Sequence, residues 1–385
     1  MTDSTYFFAL RAQNARGALS WAFNCISAMC FDDFVVDFPD IHLDSIIRDI
    51  INLPTGDIHR SDLIPITFLD ANNASISDLS GLEYCINLQT IFASGNSITS
   101  LAPLAGLTKL RSIQAVDNAI TNIDSLDGLT GLEQLILRNN QITDISAMAD
   151  MSKLNDVSLE GNNISNIAAL AGKPDMVMLY LGHNTIADIS ALAGMTELTR
   201  LSLPSNQITD ISALSGMTKL DLLDLYDNGV TDISPLSGMT ELATLNLWSN
   251  DVTDIGALSG LTKLERLYMV DNQIDDLSPL ANLTNLQQLL FGTNPVSDIS
   301  VLSNLTMVDY LEAQFCQIVD ISSLEYLVNL NSLVLSLNQI VEIAPLYNNP
   351  GIDSGDVVYL AGNPLSQQSI DYIDSLTARG VEVDF

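Results

Sequence analysis

From about Leu69 to Leu365 the apolar residues of the chain recur with a fixed period. The stretch containing Leu132, Leu135, Leu137, Asn140, Ile142, Ile145 and Met148 reads L-x-x-L-x-L-x-x-N-x-I-x-x-I-x-x-L, and thirteen further copies align with it. Within each copy the x-L-x-L-x piece alternates with period two, which predicts a short strand with Leu135 and Leu137 turned inward and Gln134, Ile136 and Arg138 outward. The remaining apolar positions predict a brief 3₁₀ or irregular return, too short for a full α-helix. No copy can bury its own apolar face, so the copies must stack and each is stabilised mainly by its neighbours. Strands about 4.8 Å apart on one side and bulkier returns on the other force curvature. The expected fold class is an α/β solenoid: a right-handed horseshoe with a parallel concave sheet, short 3₁₀ or irregular convex segments, a helical N-terminal cap and a helix-strand C-terminal cap.

One polar slot keeps the same register. It holds Asn96, Asn118, Asn140, Asn162, Asn184, Asn206, Asn228, Asn250, Asn272, Asn294, Asn338 and Asn363, with Ala74 and Cys316 as the two departures. An asparagine amide carries both donors and an acceptor, so stacked copies are expected to form a ladder that bonds backbone groups of its own and neighbouring coils. Cys316 can act there as a small, weak donor, whereas Ala74 cannot, which suits a first coil covered by a cap. The open ends need lids. Apolar spacing after Pro39 and Asp40 predicts a helix through Ile51, with a second short helix near Arg60 to Leu63. Beyond the array, Ser366 to Arg379 is amphipathic, and a final strand is expected from Val381 to Phe385. The expected division is a leader or disordered extension over 1–31, a helical cap over 32–66, an array of about 14 coils over 67–365 and a C-terminal cap over 366–385.

The string from Val230 through Asp232, Pro235 and Leu236 to Leu242, with its relatives along the chain, closely resembles the 22-residue repeat class of bacterial internalin-like leucine-rich-repeat proteins. The stretch from Phe38, Pro39 and Asp40 to Leu69 is similar to the helical cap that precedes such arrays in bacterial proteins. The resemblance implies non-enzymatic protein recognition on the concave face, at the bacterial surface or secreted. A eukaryotic phosphatase-regulator branch shares the repeat class, and so an intracellular structural or regulatory scaffold is the alternative. The immunoglobulin-like segment that follows the repeats in classical internalins is absent from this sequence, which weakens a reading as a host-receptor adhesin.

Composition narrows the partners. The formal net charge is −33 and the isoelectric point near 4.1, so the chain has almost no cationic surface with which to displace the counterions of a nucleic acid or approach an anionic membrane. No run of eighteen apolar residues predicts a membrane span. The expected partner is a protein, with a glycan as the second class, and the chain itself is expected to be monomeric. Its four cysteines, Cys25, Cys30, Cys85 and Cys316, match no zinc or redox spacing. Cys25 could pair with Cys30, or either with Cys85. Arg11 and Arg16 precede a moderately apolar stretch, and Ala28 offers a small residue before a cleavage point, as in a secretory leader.

Outward strand positions carry the candidate site. Tyr180, Tyr226, Trp248 and Tyr268 concentrate on the middle coils, with Asp224 among them and Arg200 and Arg266 on the flanking column. Tyrosine, tryptophan and arginine dominate interface hot spots because they offer large, rigid contact area with a polar handle; stacking across adjacent strands is the structural alternative. A second column is acidic, Asp78, Asp144, Asp188, Asp210, Asp232, Asp254, Asp276, Asp298, Asp320 and Glu342, interrupted by Ser100, Asn122 and Asn166. Its residue types are those that cap a following turn by accepting backbone N–H groups, and a cation-binding strip is the sharper alternative. No catalytic set, cofactor motif or metal-ligand spacing emerges. His42 and His59 fall in the cap. His183 has only Asp224 and Asp227 as prospective neighbours, and glycines such as Gly216, Gly238 and Gly260 recur once per coil to serve a turn rather than to cradle phosphate.

Overall fold

The computed structural model describes residues 10–13, 19–22 and 33–385. Leu10–Gln13 and Leu19–Ala22 form an antiparallel pair; the reading of 1–31 as a leader or extension and the pairing proposed for Cys25 and Cys30 otherwise lie outside the described residues. The rest is built on one open sheet of 15 parallel strands that follow one another in chain order, from Phe68–Asp70 to Glu382–Asp384. Each strand is three residues long, and neighbours pair in register, as Leu201, Leu223 and Leu245 do. Those central residues are fully buried. The inward turn of Leu135 and Leu137 follows from strand alternation, and both have no exposed surface.

Between strands the chain returns along the convex side through twelve 3₁₀ segments, from Leu82–Tyr84 to Ser322–Tyr326, and in the penultimate coil through a five-residue α-helix, Ala344–Asn348. The glycine slot at the end of this return does not serve one turn throughout. Gly106, Gly128, Gly172, Gly194 and Gly216 have positive φ, whereas Gly238 and Gly260 lie inside five-residue 3₁₀ segments without it. The longer segment absorbs the turn, so the same slot accepts Asn282, Asn304 and Tyr326 further on.

The asparagine slot joins the coils. Asn140 Oδ1 accepts the Ile120 N–H of the preceding coil at 3.0 Å, while its Nδ2 donates to Ala115 O at 2.9 Å and Leu137 O at 3.0 Å. The same bonds recur at Asn162, Asn184, Asn206, Asn228, Asn250, Asn272 and Asn294. Asn363 makes them across the longer last step, accepting from Ile340 N–H and donating to Leu335 O. Cys316 reaches Phe291 O and Gln314 O through sulfur at 3.7 and 3.6 Å and offers no oxygen to the Val296 N–H. Burial pushes its thiol up to about 11.

Both ends of the stack are covered. The N-terminal helix Ile41–Ile51 turns Leu43 and Ile47 into the core, is capped by Asp40 and ends on Asn52 in the left-handed region. Asp40 does two things at once: Oδ1 accepts the N–H groups of His42 and Leu43, and Oδ2 accepts those of Ser77 and Asp78, so the helix cap is also the bolt to the first coil. A short helix, Arg60–Leu63, follows. At the far end Gln367–Ala378 is helical behind the cap Ser366, buries Ile373 and Leu376, and leads into Glu382–Asp384, which adds the last strand to the sheet. The hydroxyl of Ser369, fully buried, donates to Val341 O and accepts from Ile343 N–H, closing the final return.

One core position breaks the apolar pattern. The slot filled by Met151, Met195 and Met217 holds Lys173, only 2% exposed. Its ammonium donates to three carbonyls of the preceding coil, Met148 O, Ala149 O and Met151 O, at 2.8, 3.1 and 3.3 Å. Asn349 fills the same slot near the C-terminal end and likewise donates to Leu324 O and Leu327 O. Burial drives the Lys173 ammonium below its ordinary value, an effect that Asp150 nearby only partly opposes.

Two stability outcomes follow. Met148 O already accepts the Met151 N–H, so Lys173→Met restores an apolar slot without orphaning that carbonyl. It should raise unfolding free energy by roughly 0.5–2 kcal/mol in denaturant titration. Because the folded value lies below the unfolded value of about 10.4, the unfolded chain binds more protons between the two, and wild-type stability rises with pH there. The gap between Lys173→Met and wild type should therefore narrow as pH approaches the unfolded value. Asp40→Ala removes a helix cap and leaves the Ser77 and Asp78 N–H groups without their acceptor, and should cost about 2 kcal/mol or more. Burial opposes ionisation of Asp40, but the N–H groups of Ser77, Leu43, Asp78 and His42 outweigh it and hold its carboxyl below the usual value. Its contribution is complete above the unfolded pKa of about 4 and is lost as pH falls through the depressed folded value, so the two proteins should converge in acid.

Candidate functional site

The inner face of the sheet is made of three outward columns per coil, and the residues expected there stand on it in register. Asp224 pairs with Ser202 and Asn246, and Asn246 with Tyr268, in the central column; Arg200, Leu222, Thr244 and Arg266 form the column beside it. Tyr226 and Trp248 follow in the third column, 36% and 38% exposed, with ring centroids 6.0 Å apart in an edge-to-face arrangement. This geometry matches the preferred aromatic pairing and leaves over a third of each residue's surface open to a partner.

Asp224 lies at the foot of that pair. Its Oδ1 accepts the Tyr226 N–H at 3.1 Å. Burial pushes its carboxyl up, against the Tyr226 N–H and the Asn246 amide, and Glu160 and His183 act on it electrostatically with opposite signs. His183 is exposed and adopts positive φ in the turn just before Asn184. The same left-handed turn recurs at Asp117, Asn139, Asp227 and Asp271, residue types that tolerate it, and also at Ser205, Ser249, Thr293, Phe315 and Leu337.

The other expected residues do not all converge. Tyr180 lies two strands from Asp224, across Ser202. Tyr268 directs its hydroxyl to Gln288 Oε1 at 2.6 Å, toward the C-terminal coils and away from Trp248. Burial raises the Tyr268 phenol, an effect that Arg266 only partly opposes, and the Arg266 guanidinium approaches Glu265 at 4.0 Å. Arg200 is exposed. Sequence reasoning passed over Ser158, a central-column residue that is 4% exposed and whose hydroxyl has no hydrogen-bond partner, and Glu312, 8% exposed in the same column. Both stood in the outward register, but their burial depends on how neighbouring side chains lean.

The acidic column caps the returns. Asp144, Asp188, Asp210, Asp232, Asp276, Asp298 and Asp320 each accept the N–H two residues on through Oδ1, and Ser100, Asn122 and Asn166 do so in the same place. The Ser190 and Ser212 groups thus hold Asp188 and Asp210 below the usual carboxylate range. Among the described residues no group of histidine, cysteine, aspartate or glutamate has the geometry to hold a metal ion, and no helix is long and apolar enough to cross a membrane. Cys85 is free and fully buried, its thiol pushed up to about 12 by burial and by Glu83.

Comparison with known proteins settles the family. A family model described as leucine-rich repeats, two copies, matches residues 108–150, 130–172, 174–216, 196–238, 218–263, 240–282 and 262–304. The crystal structure of the internalin InlF from Listeria monocytogenes is 32% identical, with a TM-score of 0.73, over 90% of this chain and 96% of that one. The chain belongs to the internalin-like leucine-rich-repeat proteins. Two further solved structures share the fold of this internalin-like protein. They are the leucine-rich-repeat protein LIC12759 of Leptospira interrogans (18% identity, TM-score 0.68, covering 85% of this chain and 97% of that one) and the functional domain of InlJ from Listeria monocytogenes (20%, 0.63, 84% and 79%), which includes a cysteine ladder. No curated protein sequence matches the chain. Leucine-rich-repeat proteins generally mediate protein recognition.

Proposed function

We propose that the chain is a non-enzymatic recognition module that binds a partner protein on the middle of its concave face. The observation that carries this reading is the Tyr226–Trp248 pair, exposed side by side on a sheet face that no other described element covers, with Asp224 at its foot. Large aromatic rings on a backbone fixed by the coil stack lose little conformational freedom on binding. Tyr180, Tyr268, Arg200 and Arg266 extend the surface along the neighbouring strands, and the fixed spacing of columns suits an elongated protein surface better than a compact glycan. The module acts as a monomer, since a net charge of −33 opposes self-association. Its place is outside the bacterial cytoplasm, secreted or at the cell surface.

The test is affinity capture with the full array, followed by calorimetry of the captured protein against single variants. Trp248→Ala and Tyr226→Ala should each weaken binding by about 2 kcal/mol or more, with melting curves close to wild type because both rings are exposed. Unchanged affinity in both variants would remove the site from the middle coils. Export is checked by mass spectrometry of the mature protein from its producing cell: a new N-terminus near Ala28 supports it, and an intact Met1 refutes cleavage.

A further inference from the structure

A second feature of the concave face lies away from the aromatic pair, over the C-terminal coils. Strand alternation sends the Glu312 side chain out of the sheet, between Leu290 and Val334 of the adjacent strands, yet the residue is only 8% exposed. Its carboxylate is met by neutral groups: the Gln314 amide donates to Oε1 at 2.9 Å and the Tyr310 hydroxyl to Oε2 at 3.4 Å. Among the described residues no lysine, arginine or histidine comes within ion-pairing distance of it; the nearest coil with a cation on this face, that of Arg266, turns its guanidinium to Glu265. A carboxylate so sheltered is ordinarily paired.

Three tyrosines share this part of the face. Tyr310 shares its strand, Tyr268 leans toward it through Gln288, and Tyr359, 37% exposed, stands two strands on. Burial first, then Glu312, Tyr359 and Tyr268, push the Tyr310 phenol up, so both other tyrosines lie close enough to act on Tyr310. A negative group at the base of aromatic walls is the arrangement that stabilises an organic cation, through charge-assisted hydrogen bonds below and ring quadrupoles at the sides.

The geometry points to a cation subsite at Glu312, walled by Tyr310, Tyr268 and Tyr359, that takes the arginine or lysine side chain of a partner protein's extended segment. The strongly negative chain attracts such a segment from a distance, and the subsite gives one of its side chains a fixed seat. Guanidinium is the better fit, because its planar donors match two carboxylate oxygens and its flat face stacks on phenol rings. The inference stands apart from the Tyr226–Trp248 reading, which could fail without touching it.

The probe is an arginine-rich octapeptide, compared with its lysine counterpart and with a citrulline version of the same shape and no charge, titrated into the full chain by calorimetry at physiological ionic strength. The arginine peptide should bind saturably and the citrulline peptide should not. Glu312→Gln should weaken the arginine peptide about thirtyfold or more, and Tyr359→Ala, an exposed position whose loss leaves the core intact, by several-fold. Glu241→Gln, which removes the same charge from an exposed flank already paired with Lys263, should stay within about twofold. Equal losses in Glu312→Gln and Glu241→Gln, or equal binding of arginine and citrulline peptides, would overturn the subsite and leave only diffuse attraction to an acidic protein.

Discussion

Everything in this molecule depends on hydrogen bonds that run from one coil to the next. A three-residue strand and a one-turn return have too few internal bonds to hold a shape, and each coil presents an apolar edge on both sides. The asparagine amide resolves the polar part of that problem. Its oxygen takes an N–H of the coil before, and its nitrogen satisfies carbonyls of both coils where the chain leaves the strand. Leucines such as Leu137 and Leu159 on either side then pack with no exposed surface.

That constraint fixes the functional face. Because the coils stack in register, the outward positions fall into straight columns whose chemistry is free to vary while the interior is not. The vertical spacing of Tyr226 and Trp248, and of Asp224 and Asn246, is therefore set by the main chain rather than by the side chains themselves. The ladder also tolerates local exceptions where a neighbour compensates. Cys316 and Lys173 occupy slots meant for an amide and a methionine, and each still finds carbonyls of the preceding coil. At the first coil, where Ala74 has no side-chain donor, Asn96 of the next coil donates to Ala71 O, and Asp40 of the cap separately accepts the Ser77 and Asp78 N–H groups.

The acidic column shows how a repeated charge can be a local backbone device. Its aspartates alternate with asparagine and serine because all three types can accept the N–H two residues ahead, and that bond is present at nearly every coil. The many negative charges this adds nevertheless give the molecule a long-range character, which bears on what can approach the concave face.

The sequence by itself determined the repeat, the strand and its inward leucines, the asparagine slot, the capping aspartates and both terminal helices, because each follows from spacing measured along one coil or between identical coils. It also determined which side chains face outward. What it left open was decided by packing between side chains on different strands, which no period encodes. Tyr268 turns to Gln288 and leaves the aromatic group that its column suggests; Ser158 and Glu312 become buried on a face expected to be open. Lys173 bends its ammonium back onto carbonyls of the coil before, in a slot that periodicity reserves for an apolar residue. Outward-facing and exposed are different properties, and only the tertiary structure separates them, since exposure depends on the lean of rings and amides one and two strands away.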